Sequence, residues 1–131
     1  MEKEFVTYEQ ALALKELGFD ERCLGKFDKY NDNILDYGFT GVYPFDNLPV
    51  HLRAPTFSQT LRWFRKKYSL NGIINHYPNT KLWDFSVHNL EWNGKELMEY
   101  TRKEDRNIKF STYEEAESAC LDKLIEITKN K

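Results

Sequence analysis

Phe57, Leu61, Phe64 and Tyr68 recur at i, i+4, i+7 and i+11 in TFSQTLRWFRKKYSL, the spacing that lines one face of an α-helix. Towards the end of the chain Tyr113, Ala116, Cys120, Leu124 and Ile127 repeat the pattern. Glu114, Glu115, Ser118, Asp122 and Glu126 fall on the opposite, solvated side. A shorter and nearly uncharged helix is predicted for ALALKELGF. The same local chemistry starts all three: a Thr followed three residues later by Gln or Glu, so that the hydroxyl accepts from the N3 amide while the longer side chain reaches back. The pairs are Thr7 with Gln10, Thr56 with Gln59 and Thr112 with Glu115. FVTYEQA at Phe5 and FSTYEEA at Phe110 are therefore two helix starts and not a duplicated module, because the segments after them differ. Leu17-Gly18 and Asn71-Gly72 supply stop signals.

Between the helices the period drops to two. Residues 22–29 and 34–41 flank Asn31-Asp32-Asn33, which can close a hairpin. Pairing Tyr30 with Ile34 would put Cys23, Gly25 and Phe27 on one face with Leu35, Tyr37 and Phe39. A second hairpin is predicted from residues 73–77 and 82–92 around Pro78-Asn79-Thr80, with Ile74, Trp83, Phe85 and Val87 sharing a face. After Asn93-Gly94, residues 95–101 fit either a strand or a helical turn, and residues 107–110 read as a short strand. This order predicts one α+β domain over residues 1–131: an antiparallel sheet of about four to five strands with three helices packed mainly on one face.

A chain of 131 residues, 15% of them aromatic, is long enough to bury a core without covalent staples. Lys and Arg total 19 against 21 Asp and Glu, and the net charge of −2 provides no general attraction to nucleic acid or an anionic membrane. No apolar run approaches the roughly 20 residues of a membrane span, and the acidic start MEKEF is unlike a secretion signal. Cys23 and Cys120 stand in no metal-ligand spacing, which fits reduced thiols in a cytoplasmic setting, with Cys120 a small core residue.

Catalytic chemistry finds no foothold. There is no phosphate-cradling glycine loop, GxSxG elbow or HExxH helix. In the second hairpin His76 falls opposite Trp83 while His88 has the other parity, and His51 stands in a loop without a carboxylate at ligand spacing, so no metal or other cofactor site is expected. Glu114-Glu115 and Glu104-Asp105 lie in charged runs that solvation explains.

Two segments stand out. Residues 40–55, TGVYPFDNLPVHLRAP, form a long connector stiffened by Pro44, Pro49 and Pro55; it either serves a function or tucks Val42, Phe45, Leu48 and Leu52 against the core. The central helix carries Arg62, Arg65, Lys66 and Lys67 with no acidic residue among them. Trp63, about 100° from Phe64 around the helix, lies off the apolar stripe beside these cations. One reading packs it under the loop or a sheet edge. The other leaves it at least partly exposed as a recognition anchor, since Trp and Arg dominate interface hot spots. Arg62, Trp63, Lys66 and Lys67, with His51 and Arg53 of the connector, are the binding candidates.

FVTYEQALALKELGFDE, APTFSQTLRWFRKKYSL and TYEEAESACLDKLIEITKNK, three blocks that cover roughly half of the chain, resemble a family of short phage, prophage and mobile-element proteins of gut bacteria. The resemblance carries no assigned activity or catalytic residues. It implies a small accessory protein in the cytoplasm of a bacterial host. The leading expectation is a non-catalytic protein that binds an unspecified host or phage protein. Nucleic-acid binding would instead set Arg62, Arg65, Lys66 and Lys67 on phosphates with Trp63 or Tyr68 stacking on a base. An enzyme or a small-ligand sequestering protein, with aromatics such as Tyr43 and Trp92 lining a pocket, is the third reading, and no nucleophile or base can be named for it.

Overall fold

The computed structural model describes residues 4–21, 23, 25–27, 34–36, 53–90 and 108–130. The chain divides into two compact units, Met1–Thr60 and Leu61–Lys131. Among the described residues, three helices and five strands make the fold α+β.

In the first unit, α1 (Tyr8–Glu16) starts at Thr7, whose hydroxyl accepts from Gln10 N–H at 3.1 Å while the Gln10 side chain accepts from Thr7 N–H at 2.9 Å. It ends as the sequence indicates. Gly18 takes a left-handed φ of 96°, and Phe19 N–H reaches back to the Leu14 carbonyl at 2.9 Å, which satisfies carbonyls that the last turn leaves open. Strands β1 (Gly25–Phe27), β2 (Ile34–Asp36) and β3 (Arg53–Ala54) form an antiparallel sheet in the order β2-β1-β3. Gly25 is needed at its centre, because a Cβ there would stand 2.8 Å from the Phe5 ring. Phe5, Val6, Leu14, Phe19, Cys23, Phe27 and Ala54 are the buried apolar residues around it.

The first hairpin pairs in a different register from the one expected. Phe27 stands opposite Ile34, and Gly25 opposite Asp36, a shift of three residues that is odd and therefore exchanges the faces of the second strand. β1 is also central, with Ala54 on its other side at Gly25, so the strands make a three-stranded sheet instead of the two-stranded hairpin that the alternation suggests. The end of the presumed connector is likewise strand, with Arg53 paired to Lys26. Its earlier part and residues 95–101 lie outside the described residues.

Helix α2 (Phe57–Tyr68) starts at Thr56, whose hydroxyl accepts from Gln59 N–H at 3.1 Å. The Gln59 side chain donates to Glu21 at 3.2 Å instead of closing the capping box. Asn71-Gly72 does not end this helix. Ser69 does, in a left-handed φ of 56°, and the chain passes straight into β4 (Leu70–Tyr77).

In the second unit β4 pairs with β5 (Leu82–Asn89) over eight residues, in the register the alternation predicts: Ile74 opposite Phe85, His76 opposite Trp83. Pro78 to Thr80 turn the chain, and Lys81 closes it with φ 60° and a bond from its N–H to the Tyr77 carbonyl at 2.7 Å. Phe110 adds a single bridge to Trp83 on the far side of β5, short of the strand expected there. The described strands thus fall into two sheets.

Helix α3 (Tyr113–Lys129) begins at Thr112, which accepts from Glu115 N–H at 3.1 Å, and covers the face of the hairpin that bears Gly72. Its buried side is Ala116, Glu117, Cys120, Leu121, Leu124, Ile125 and Thr128. Relative to the expected stripe the helix is turned towards Glu117 and Leu121, leaving Tyr113 40% exposed. The large rings of the hairpin take up the space at its start: Trp83 meets Tyr113 edge-on at 5.3 Å. No helix among the described residues is long and apolar enough to cross a membrane.

Candidate functional site

Of the six sequence candidates, Arg62, Trp63, Lys66 and Lys67 stand on α2 and Arg53 on β3. Arg62, Arg65 and Lys66 are exposed on α2, with Arg62 between the other two around the helix. At 100° per residue these three span an arc of about 100°. Trp63 does not join them. Its exposure is 5%, which corrects the expectation of an accessible anchor. The reason is the breadth of the buried side of α2. Thr60 is fully buried, its hydroxyl donating to the Phe57 carbonyl at 2.8 Å, so the inward arc runs from Leu61 through Phe64 and Thr60 to Trp63, about 160° in all. Trp63 packs edge-on against Phe64 at 5.0 Å and Tyr68 at 5.4 Å.

Lys67 is exposed but committed, with Nζ 5.1 Å from the centre of the Trp63 ring and 5.7 Å from that of Tyr68. Arg53 belongs to the first unit, where Nη1 donates to the carbonyls of Asp20 at 2.9 Å and Glu21 at 3.3 Å and ties β3 to the end of the first helical segment. His51, Tyr43 and Trp92 lie outside the described residues. What remains is a three-cation face, Arg62, Arg65 and Lys66, on a helix without an acidic residue in its first turn. None of the three forms a salt bridge among the described residues. The last two stand in the final turn, where positive charge complements the helix dipole.

A second cluster was not anticipated. On the face of the β4–β5 hairpin opposite α3, Asp84 is 2% exposed and accepts from Asn75 Nδ2 at 3.0 Å, Tyr77 Oη at 2.9 Å and Lys109 Nζ at 2.9 Å. The ammonium also lies 4.1 Å from the centre of the Tyr77 ring. Burial, the largest influence, pushes the Asp84 carboxyl upward. The bonds from Lys109, Asn75 and Tyr77, with the charge of Lys109, outweigh it and hold the group below its ordinary 3.8. Lys109 is in turn raised above 10.5, chiefly by its bond to Asp84. The signal for this cluster was present in the sequence as an aspartate in the middle of the alternating strand LWDFSVHN, next to Trp83 and opposite Asn75. Such a carboxylate is a fixed anion. With three donors already on it, it is suited to holding structure and not to taking up a proton.

The histidines keep the parity expected of them, His76 opposite Trp83 and His88 opposite Asn71, and His76 stacks on the Trp83 ring at 4.3 Å. Among the described residues no three metal-binding side chains come together. Both cysteines are free and buried, and burial pushes each thiol up to about 12. No family model, curated protein or solved structure matches the chain.

Proposed function

We propose that this is a non-catalytic accessory protein of the phage or mobile-element kind, acting in the cytoplasm of a bacterial host by binding an acidic surface of a host or phage protein through Arg62, Arg65 and Lys66. The observation that carries the reading is the exposed three-cation face itself: it sits on a rigid helix, and the charges are not spent on ion pairs among the described residues. Charges of this kind steer encounter and select partners more than they add affinity. With Trp63 buried, the contact has no aromatic anchor on α2, so it is electrostatic and sensitive to salt.

Nucleic acid is the second reading, favoured by the absence of any acid from the α2 sequence. It loses its stacking platform, because Trp63 is buried and Tyr68 packs against Trp63 and Phe64. Phosphate contacts alone remain, and three of them would give a logarithmic salt slope of about −3 on duplex DNA.

The test is capture from host lysate by the parent and by the charge-reversed variant R62E/R65E/K66E, each with and without nuclease. Protein retained by the parent after nuclease treatment and lost by the variant supports the proposal. Capture abolished by nuclease supports the second reading. Equal capture by parent and variant removes α2 from the function.

A further inference from the structure

Trp83 N–H donates to the Phe110 carbonyl at 2.9 Å, and Phe110 N–H donates to the Trp83 carbonyl at 2.7 Å. Backbone groups of successive residues point to alternate sides of a strand. Leu82, Asp84, Ser86 and His88 therefore aim at β4, where their partners are Tyr77, Asn75, Ile73 and Asn71. Gly72, Ile74 and His76 consequently direct their N–H and C=O groups away from β5. No hydrogen bond takes these groups up among the described residues.

Among the described residues nothing pairs with this edge of β4, and an exposed strand edge is normally blunted by lysine, proline or a bulge. β4 reads LNGIINHY, without Lys, Arg, Asp, Glu or Pro, and its pairing to β5 runs unbroken from Leu70 to Tyr77. The far edge of β5, in contrast, is met at Trp83 by Phe110.

We infer that β4 pairs with β4 of a second copy, antiparallel and centred on Ile74, joining the two hairpins into one four-stranded sheet. The register is self-complementary. The outward-pointing residues are symmetric about Ile74, so Gly72 meets His76 of the partner subunit, Ile74 meets its own counterpart, and all three pairs are of the hydrogen-bonded kind, with about six bonds in all. No charge is brought against a like charge, because the strand carries none of the four charged residue types. Ile73, 37% exposed on the face away from α3, comes to lie opposite Asn75 of the partner subunit and diagonal to its own counterpart, which covers it. A two-fold pairing also consumes the open edge of both copies, so assembly stops at two instead of growing into a filament.

The experiment is analytical ultracentrifugation from roughly 1 to 300 µM, the span over which a micromolar dimer forms, with amide exchange followed by NMR on the same samples. Two variants test the edge. His76→Pro removes an outward N–H and leaves the bonds to β5 intact. Ile73→Lys places two ammonium groups near each other across the two-fold. The expected result is a doubling of mass in the parent, with the amides of Gly72, Ile74 and His76 gaining protection as concentration rises while those of Ile73, Asn75 and Tyr77 stay protected throughout. Both variants are expected to remain monomeric; if the proline variant does not fold, the lysine variant decides. The variant R62E/R65E/K66E is expected to dimerise like the parent, which separates this inference from the reading of α2. A parent that stays monomeric, variants that dimerise as the parent does, or protection of Gly72, Ile74 and His76 only when a different protein is bound, each overturns it.

Discussion

Gly72 and Cys120 approach so closely that a Cβ added to the glycine would stand 2.6 Å from the cysteine Sγ, with Leu124 and Leu61 at 3.3 and 3.4 Å. This contact fixes how near α3 lies to β4. Gly72→Ala should cost about 1–3 kcal/mol, as overpacking of a filled core does. In the double variant with Cys120→Ala the sulfur is gone and much of that cost should be recovered. Urea denaturation of the four proteins of the cycle measures the coupling, and additive losses would show that the two residues do not meet.

Trp63→Ala and Phe64→Ala should now behave alike. Both rings are buried, so each truncation should cost about 3–5 kcal/mol. Thermal melting checks this, and a Trp63 variant that melts like the parent would return the ring to the surface.

The pH dependence of stability should carry the mark of Asp84 and Lys109. Asp84 titrates below its ordinary value when folded, so its contribution is complete above about pH 4 and is lost as the pH falls through the lower folded value. Lys109 is shifted upward, so its contribution is complete below about pH 10 and is lost as the pH rises through the higher folded value. Asp84→Asn should flatten the acid limb of a melting-temperature profile and lower its plateau. An unchanged acid limb would remove Asp84 as the source.

Neither thiol should be reactive in the folded protein. With both pushed up to about 12 by burial, the thiolate is scarce and the sulfur covered. Iodoacetamide at pH 8 should label Cys23 and Cys120 only as the chain unfolds, read by intact mass along a urea series.

The caps should matter individually. Thr7→Ala, Thr56→Ala and Thr112→Ala each remove a hydroxyl that accepts from an N3 amide, and each should cost about 0.5–2 kcal/mol. Thr→Ser at the same positions should restore most of it, and a melting series separates the two outcomes.

What the sequence displays well is whatever is decided within a few residues. The three caps, the glycine stop after α1 and the register of β4 on β5 all follow from contacts between near neighbours, and the structure has them where the pattern puts them. The misreadings share a different cause. Trp63 was set outside the core because Thr60, a polar residue, hides the extent of the buried arc until its hydroxyl is seen bonded to Phe57. Asn71-Gly72 has the composition of a turn, yet Gly72 is required by the approach of a helix nearly fifty residues later, as Cys120 shows. The first hairpin is part of a three-stranded sheet because Ala54, distant in sequence, pairs with Gly25. Of the candidate site, the cations of α2 and the pairing of Asp84 with Asn75 could be read from the chain, whereas the ion pair of Asp84 with Lys109 could not, since the two residues stand 25 positions apart.

Lys109 and Phe110 are neighbours in the chain but grip opposite faces and edges of the same hairpin, one through Asp84 and the other through Trp83. That adjacency sets an order in time. The hairpin closes through a turn of four residues and can form within microseconds, whereas the grip of Lys109 on Asp84 joins residues 25 positions apart and must wait for that longer closure. Both grips come from two consecutive residues, so the second follows from the first at almost no additional entropy. Docking of this short stretch is therefore expected to be a single late event in folding, one that sets the first residue of α3 beside Trp83.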